Sequence, residues 1–183
     1  MTEDELEKIK KSFVRAKECS TGTACLMSVI HYYGGTADIA QMEKWCTEEK
    51  KHELKSMCRA ASMVHMDTRL ERLRMEELKE RKLPVIILAQ NDYGRVDYAV
   101  CYGMNGSRFI VWEPRYGPVL YWPEELETLW MYGIAMTLYP GNGFQVNLHL
   151  KWWELYSWSK SLKRKWEHWK EWIAVEVLPY FRW

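Results

Sequence analysis

Hydrophobic positions recur with a helical period over the first half of the chain and form short continuous runs over the second half. The helical period predicts helices over 2–13, 22–33, 36–46, 52–63 and 69–82. The apolar runs are bounded by Pro, Gly and Asn, and they predict strands over 84–89, 96–102, 109–112, 119–121 and 132–139. Pro123 predicts the start of a short helix over 124–130. Helices followed by antiparallel strands predict an α+β fold.

The predicted helix over 22–33 is apolar on nearly all sides, which is typical of a helix buried at the centre of a domain. Its apolar residues are Ala24, Leu26, Met27, Val29, Ile30 and Tyr33. Side-chain oxygens of Ser20, Thr21 and Thr23 can cap its first turn, and the simplest role of Thr21 is such a cap. Gly34-Gly35 predicts its end.

Three further predictions depend on local patterns, two on helical spacing and one on a turn dipeptide. The helix over 36–46 is expected to turn four residues inward, Ile39, Met42, Trp45 and Cys46. The strongly charged helix over 69–82 is expected to use Leu70, Leu73 and Leu78 as its apolar positions. Asn105-Gly106 predicts a hairpin turn between two of the strands.

The C-terminal region has a different composition, because more than half of the 11 tryptophans follow residue 150. Helical spacing predicts one long Trp- and Lys-rich helix over 151–177, so we expect a main domain at 1–143 and an extension at 144–183. Three roles stay open for this helix: packing on its own domain, binding a partner, or lying at a membrane interface. The candidate binding residues are Trp158, Trp166 and Trp169.

Composition narrows the class of protein. The chain has 183 residues and a formal net charge of +1, which argues against nucleic-acid binding. Its five cysteines include no Cys-x-x-Cys pair, which favours reduced thiols over a disulfide framework or a zinc site. The charged N-terminal segment is not expected to act as a signal peptide, and no stretch approaches the roughly 20 apolar residues that span a bilayer. We expect a cytoplasmic chain, or one peripheral to a membrane, without a small-molecule cofactor.

Several motifs resemble one known family. The landmarks, in chain order, are Gly22, Ala24-Cys25-Leu26, Tyr32-Tyr33-Gly34, Pro84-Val85-Ile86-Ile87, Tyr98-Ala99-Val100-Cys101, Glu113-Pro114 and Tyr132-Gly133-Ile134-Ala135-Met136. Over about residues 15–140 the chain is similar to the peptidase C39 family, papain-like cysteine peptidases that cut double-glycine leader peptides on bacteriocin-exporting ABC transporters. The resemblance implies a papain-like fold.

The resemblance also implies that the catalytic chemistry is lost. It places the nucleophilic cysteine at Thr21, the catalytic histidine at Asp97, the orienting acid at Glu113 and the oxyanion donor near Arg15. A threonine hydroxyl does not ionise near neutral pH. A carboxylate of pKa about 3.9 cannot exchange protons at neutral pH as imidazole does. These positions therefore predict a pseudopeptidase rather than an enzyme.

The predicted function is a peptide- or protein-binding module, within a secretion assembly or another multi-subunit complex that can be membrane-associated. By fold analogy, Thr21, Asp97, Tyr98, Glu113 and Arg115 would line its cleft.

Four alternatives stay open. The protein could be a structural subunit docked through the Trp-rich helix, or an active cysteine peptidase that uses Cys19. Asp97 and Glu113 could bind a cation, or they could pair with the nearby cations, Arg15 and Arg115.

Overall fold

The computed structural model describes residues 1–48, 53–81, 84–90 and 94–146. The helices are α1 (Glu3–Ser12), α2 (Thr21–Tyr32), α3 (Ile39–Cys46), α4 (Glu53–Met63), α5 (Met75–Glu80) and α6 (Pro123–Leu129). The strands are β1 (Met66–Arg72), β2 (Val85–Gln90), β3 (Val96–Asn105), β4 (Arg108–Glu113), β5 (Gly117–Tyr121) and β6 (Trp130–Pro140). They form one antiparallel sheet in the order β1-β6-β2-β3-β4-β5. The expected α+β fold is confirmed.

The helix α2 lies at the centre of the helical layer, as its all-round apolar pattern predicts. Every residue from Thr21 to Ile30 is buried, and α2 packs against α1, α3, α4 and β3. Ser20 is the N-cap, and its hydroxyl accepts a hydrogen bond from the backbone N–H of Thr23 at 3.2 Å. The chain leaves the helix through Gly34, whose φ of +81° suits glycine.

The sheet buries both of its faces, which we call the helical face and the opposite face. The helical face contacts α1 to α4 through alternate strand residues such as Ile86, Val100 and Met136. The opposite face is covered by α5 and α6 and contains the intervening strand residues, such as Ile87, Ala99 and Val111, which form a core with Leu126 of α6. The period-2 alternation of strand side chains therefore supplies two separate cores.

The prediction of a helix over 69–82 is wrong. Met66–Arg72 form the edge strand β1, which pairs with β6, and α5 begins only at Met75. Leu70, predicted to face inward, is 49% exposed. Helix propensity is a weak prior that tertiary pairing overrides, and charged residues are usual in a strand at a sheet edge.

Three smaller features, two in α3 and one in the sheet, can be compared with the sequence pattern. Met42 and Cys46 are buried, but Ile39 is 36% exposed, so the predicted inward face of α3 is only partly correct. The helix begins after Asp38, which caps it, rather than at Thr36. The Asn105-Gly106 turn does join β3 to β4 as predicted.

The compact body of the described chain runs from Met1 to Val146. Phe144 packs against the core on the helical face, and the expected division between 1–143 and 144–183 stays a prediction. The predicted helix over 151–177, with Trp158, Trp166 and Trp169, lies outside the described residues. No helix in the described part of the chain is both long enough and apolar enough to cross a membrane.

Candidate functional site

Three chain segments meet at one end of the sheet. Thr21 opens α2, Asp97 is the second residue of β3, and Glu113 is the last residue of β4. Because β3 and β4 are antiparallel, the start of one strand lies beside the end of the other. The predicted site residues Thr21, Asp97, Tyr98, Glu113 and Arg115 all line a single cavity of about 290 Å³ at this place.

The cavity opens on the opposite face of the sheet and has a wall of apolar side chains. The wall is formed by Ile87, Ala99, Val111, Tyr121, Leu126 and Leu129. The rim is polar and carries Thr21, Asp97, Glu113, Arg115 and Tyr116. An apolar wall with a few convergent polar groups is typical of a ligand site.

The start of α2 is connected to the rim by a hydrogen bond and an ion pair. The Thr21 hydroxyl donates to Asp97 Oδ1 at 3.0 Å, and Arg115 Nε lies 3.4 Å from Asp97 Oδ2. Thr21 is therefore not the helix cap, because its hydroxyl is directed to a charged acceptor and Ser20 takes the capping role. Of the predicted cation partners of Asp97, Arg115 is the one that the structure brings within ion-pair distance.

The Glu113 carboxylate has a different environment. The Tyr121 hydroxyl, from β5, donates to Glu113 Oε1 at 2.5 Å. In the described chain, no lysine or arginine forms an ion pair with Glu113. Glu113 is thus an acid within the cavity whose recorded partner is a neutral hydroxyl.

Arg15 lies beside the cavity rather than in its lining. Its segment is held by two hydrogen bonds, from Ala16 N to Pro114 O at 3.1 Å and from Trp112 Nε1 to Val14 O at 3.0 Å. The Arg15 side chain is exposed and its Nη2 passes near Gly117. The structure therefore brings Arg15 near the site but does not place it in the cavity wall.

Cys19, the alternative nucleophile, has the opposite electrostatics from an activated thiol. Its pKa is raised by burial and by the carboxylates of Glu43 and Glu18. Glu43 is fixed there because it accepts from the Ser20 N–H and hydroxyl, both at 2.9 Å. A catalytic thiolate needs a lowered pKa, so this environment disfavours the reactive form.

Glu43, Glu53 and Tyr121 are neighbours of the site that the sequence did not identify. Burial and the Asp97 and Glu43 carboxylates raise the pKa of Glu53, and the Tyr98 hydroxyl bonds to Glu53. Burial raises the pKa of the Tyr98 phenol as well. Glu43 comes from α3, Glu53 from α4 and Tyr121 from β5. No local sequence motif marks these three residues.

Two of the five histidines are described, and neither lines the cavity. His31 is in the last turn of α2, where burial lowers its pKa, and His65 lies in the turn before β1. His52, His149 and His168 are outside the described residues. In the part of the chain that the structure describes, no three His, Cys, Asp or Glu side chains are grouped to hold a metal ion.

Comparison with known proteins agrees with the family resemblance of the sequence. The profile of the peptidase C39 family matches residues 10–143. No curated protein matches the chain.

Solved structures share the fold. A double-glycine-motif protease from an AMS/PCAT transporter, solved with its leader peptide, is 22% identical, with a TM-score of 0.60 over 69% of this chain and 89% of that one. The peptidase domain of Streptococcus ComA, a bifunctional ABC transporter, is also 22% identical, with a TM-score of 0.60 over 69% of this chain and 96% of that one. The N-terminal C39-like domain of a Vibrio parahaemolyticus toxin-secretion ATP-binding protein is 18% identical, with a TM-score of 0.54 over 68% of this chain and 99% of that one. These chains have the papain-like α+β architecture described above.

Proposed function

The chain belongs to the peptidase C39 family, and on that premise we propose that it binds a peptide or a protein segment without cutting it. The proposal depends on one observation, the Thr21–Asp97–Arg115 arrangement at the start of α2. A peptidase of this class needs a thiolate and a base that returns a proton. Here a neutral hydroxyl faces a carboxylate that is already paired with a guanidinium, so neither requirement is supplied.

The nearest thiols do not offer a replacement. Burial and two carboxylates raise the pKa of Cys19, and burial raises the pKa of the fully buried Cys25. Both effects keep the sulfur protonated at neutral pH. This supports a binding role over the alternative of a peptidase that uses Cys19.

The cavity supports the binding half of the proposal. Its apolar wall and polar rim suit a side chain of an extended peptide, with the remainder of the peptide lying along the cleft. The solved AMS/PCAT relative holds a leader peptide. We therefore propose a double-glycine leader, or a segment like it, as the ligand class, and a transporter or secretion complex as the setting.

The test measures binding and cleavage in one sample. A fluorescein-labelled synthetic double-glycine leader peptide is titrated with the intact chain, binding is followed by anisotropy, and the peptide is weighed by mass spectrometry afterwards. We expect saturable binding with the peptide intact, and the same result for Cys19→Ala. A cleavage product that disappears in Cys19→Ala overturns the non-catalytic proposal, and a flat titration overturns the binding proposal.

A matched pair of variants locates the binding surface. Leu129→Lys places a cation in the cavity wall and should weaken peptide binding about tenfold or more, because taking a charge out of water against an apolar wall is costly. Leu120→Lys adds the same charge at a 37% exposed position outside the cavity lining and should leave binding unchanged. Equal effects of the two variants would contradict the assignment of the cavity.

A further inference from the structure

The charge of the cavity indicates which residue it takes. We propose that the cavity accepts a lysine or arginine side chain of the bound peptide, with its cationic end against the Glu113 carboxylate. This inference rests on the proposed peptide-binding function and deepens it, because it assigns a chemical class to the residue that enters the cavity.

The first argument is the balance of charges around the cavity. Among the residues that the structure describes, its charged lining residues are Asp97, Glu113 and Arg115. Asp97 accepts from the Thr21 hydroxyl on one oxygen and pairs with Arg115 on the other. Arg115 is therefore matched by Asp97, which leaves the single negative charge of Glu113 unmatched within the lining.

The second argument is the position of the Glu113 carboxylate. Glu113 follows Val111 on the same side of β4, because strand side chains alternate between faces, and both residues line the cavity. The Tyr121 hydroxyl donates to Oε1, and no described residue donates to Oε2, which therefore has acceptor capacity for an incoming donor. Tyr121 also holds the carboxylate in place, which reduces the ordering cost of binding.

The third argument is the shape and character of the wall. Lysine and arginine have an apolar stem that ends in a cation. Ile87, Val111 and Leu126 of the wall would contact the apolar stem, and Glu113 of the rim would bind its cationic end. A volume of about 290 Å³ is at the lower end of ligand pockets, which suits one long side chain rather than a whole small molecule.

An anionic ligand is the reverse possibility, and the geometry opposes it. An incoming carboxylate would have to take Arg115 from Asp97, and it would meet the Glu113 charge within the same cavity. Arg15 is outside the cavity lining and does not reverse this balance. The cation is therefore the preferred class.

The experiment compares leader peptides that differ only in charge. Each residue beside the glycine pair of the labelled leader peptide is replaced in turn by Lys, Gln or Glu, and anisotropy titrations give Kd values for the intact chain. At one position we expect Lys to bind about tenfold tighter than Gln, since hydrogen bonds to charged groups are stronger than neutral ones. Glu at that position should bind more weakly than Gln.

Two variants assign the effect to Glu113. Glu113→Gln keeps the side-chain shape and an acceptor for Tyr121, and it should abolish the preference for Lys. Glu124→Gln removes an equal charge from an exposed position on α6 outside the cavity lining, and it should keep the preference. Thermal unfolding of each variant confirms that it is folded.

The outcomes separate this inference from the proposed function. Binding that is equal for Lys, Gln and Glu at every position overturns the inference and leaves peptide binding in place. A preference for Lys that survives in Glu113→Gln also overturns it. If no peptide in the series binds, the proposed function and the inference fail together.

Discussion

The two faces of the sheet are covered very differently. The helical face carries four helices, and its central helix α2 is buried from Thr21 to Ile30. The opposite face is covered by α5 and α6, helices of 6 and 7 residues, and contains the cavity of about 290 Å³. Close packing stabilises the fold, whereas a ligand site needs a gap in that packing. We therefore assign most of the stability to the helical face and the binding to the opposite face.

The largest expected effect tests that assignment directly. Leu26 on α2 is 0% exposed, so Leu26→Ala should lower the free energy of unfolding by about 2–5 kcal/mol through lost burial and a new void. Leu129→Ala, in the cavity wall, should lower it by only about 1 kcal/mol because that side chain is half-buried beside an existing gap. Urea unfolding measures both, and similar losses would contradict the division between the faces.

A second prediction concerns Gly133, near the start of β6, which lies against the backbone of Leu73 just after β1. A Cβ at Gly133 would lie 2.5 Å from the Leu73 carbonyl oxygen, and the Leu73 N–H donates to Gly133 O at 2.9 Å. Gly133→Ala should therefore cost about 2–4 kcal/mol, from backbone strain together with the clash.

Gly106 provides the matched control for this prediction. Its φ of +62° is close to the +66° of Gly133, but nothing lies within 4 Å of a Cβ there. Gly106→Ala should therefore show the strain alone, about 1–2 kcal/mol. If urea unfolding gave equal losses of unfolding free energy for Gly133→Ala and Gly106→Ala, the Leu73 backbone would not be fixed against Gly133.

A third prediction concerns the contact that joins the two layers, between Thr21 of α2 and Asp97 at the cavity rim. Thr21→Val keeps the shape but leaves Asp97 Oδ1 without its donor, so stability should fall by about 1–3 kcal/mol. Thr128→Val removes an exposed hydroxyl that donates to the Glu125 carbonyl within α6 and should cost less than about 0.5 kcal/mol. A Thr21→Val protein as stable as the parent would show that the contact does not link the layers.

The smallest expected effect is a pH dependence at Glu53, beside the start of α2. Burial, together with Asp97 and Glu43, raises the folded-state pKa of this carboxyl above its unfolded value. Its contribution is fully present below the unfolded pKa and is lost as pH rises through the folded pKa. The unfolding free energy of Glu53→Gln minus that of the parent should therefore increase as pH rises through this window. A difference that is constant with pH would contradict the raised pKa.

Local patterns predicted much of the helical face. The all-round apolar sequence of 22–33 predicted the buried helix, and Asn105-Gly106 predicted the turn between β3 and β4. Each of these depends on residues within a few positions of one another, so the sequence contains the whole cause. The same periodicity failed over 69–82, because β1 exists only through its pairing with β6, some 70 residues away along the chain.

The candidate site was also predicted only in part. The resemblance to a known family, rather than periodicity, placed Thr21, Asp97, Tyr98, Glu113 and Arg115 together, and all five line one cavity. Their role in binding stays a prediction. The partners that set their chemistry were not predicted: Tyr121 on Glu113, Glu43 beside Cys19, and Glu53 against Tyr98.

The sequence by itself therefore determined that 22–33 is an apolar, buried helix, that the chain turns at Asn105-Gly106, and that Thr21 and Asp97 stand where the family resemblance expects Cys and His. Tertiary structure alone decided that 66–72 is a strand, that Ser20 rather than Thr21 caps α2, and that, among the described residues, Asp97 pairs with a cation whereas Glu113 accepts from a hydroxyl. The physical reason is the separation along the chain of the groups that interact. Helical periodicity depends on neighbours along the chain, whereas ladder pairing and charge balance depend on groups that only the folded topology brings within a few ångströms.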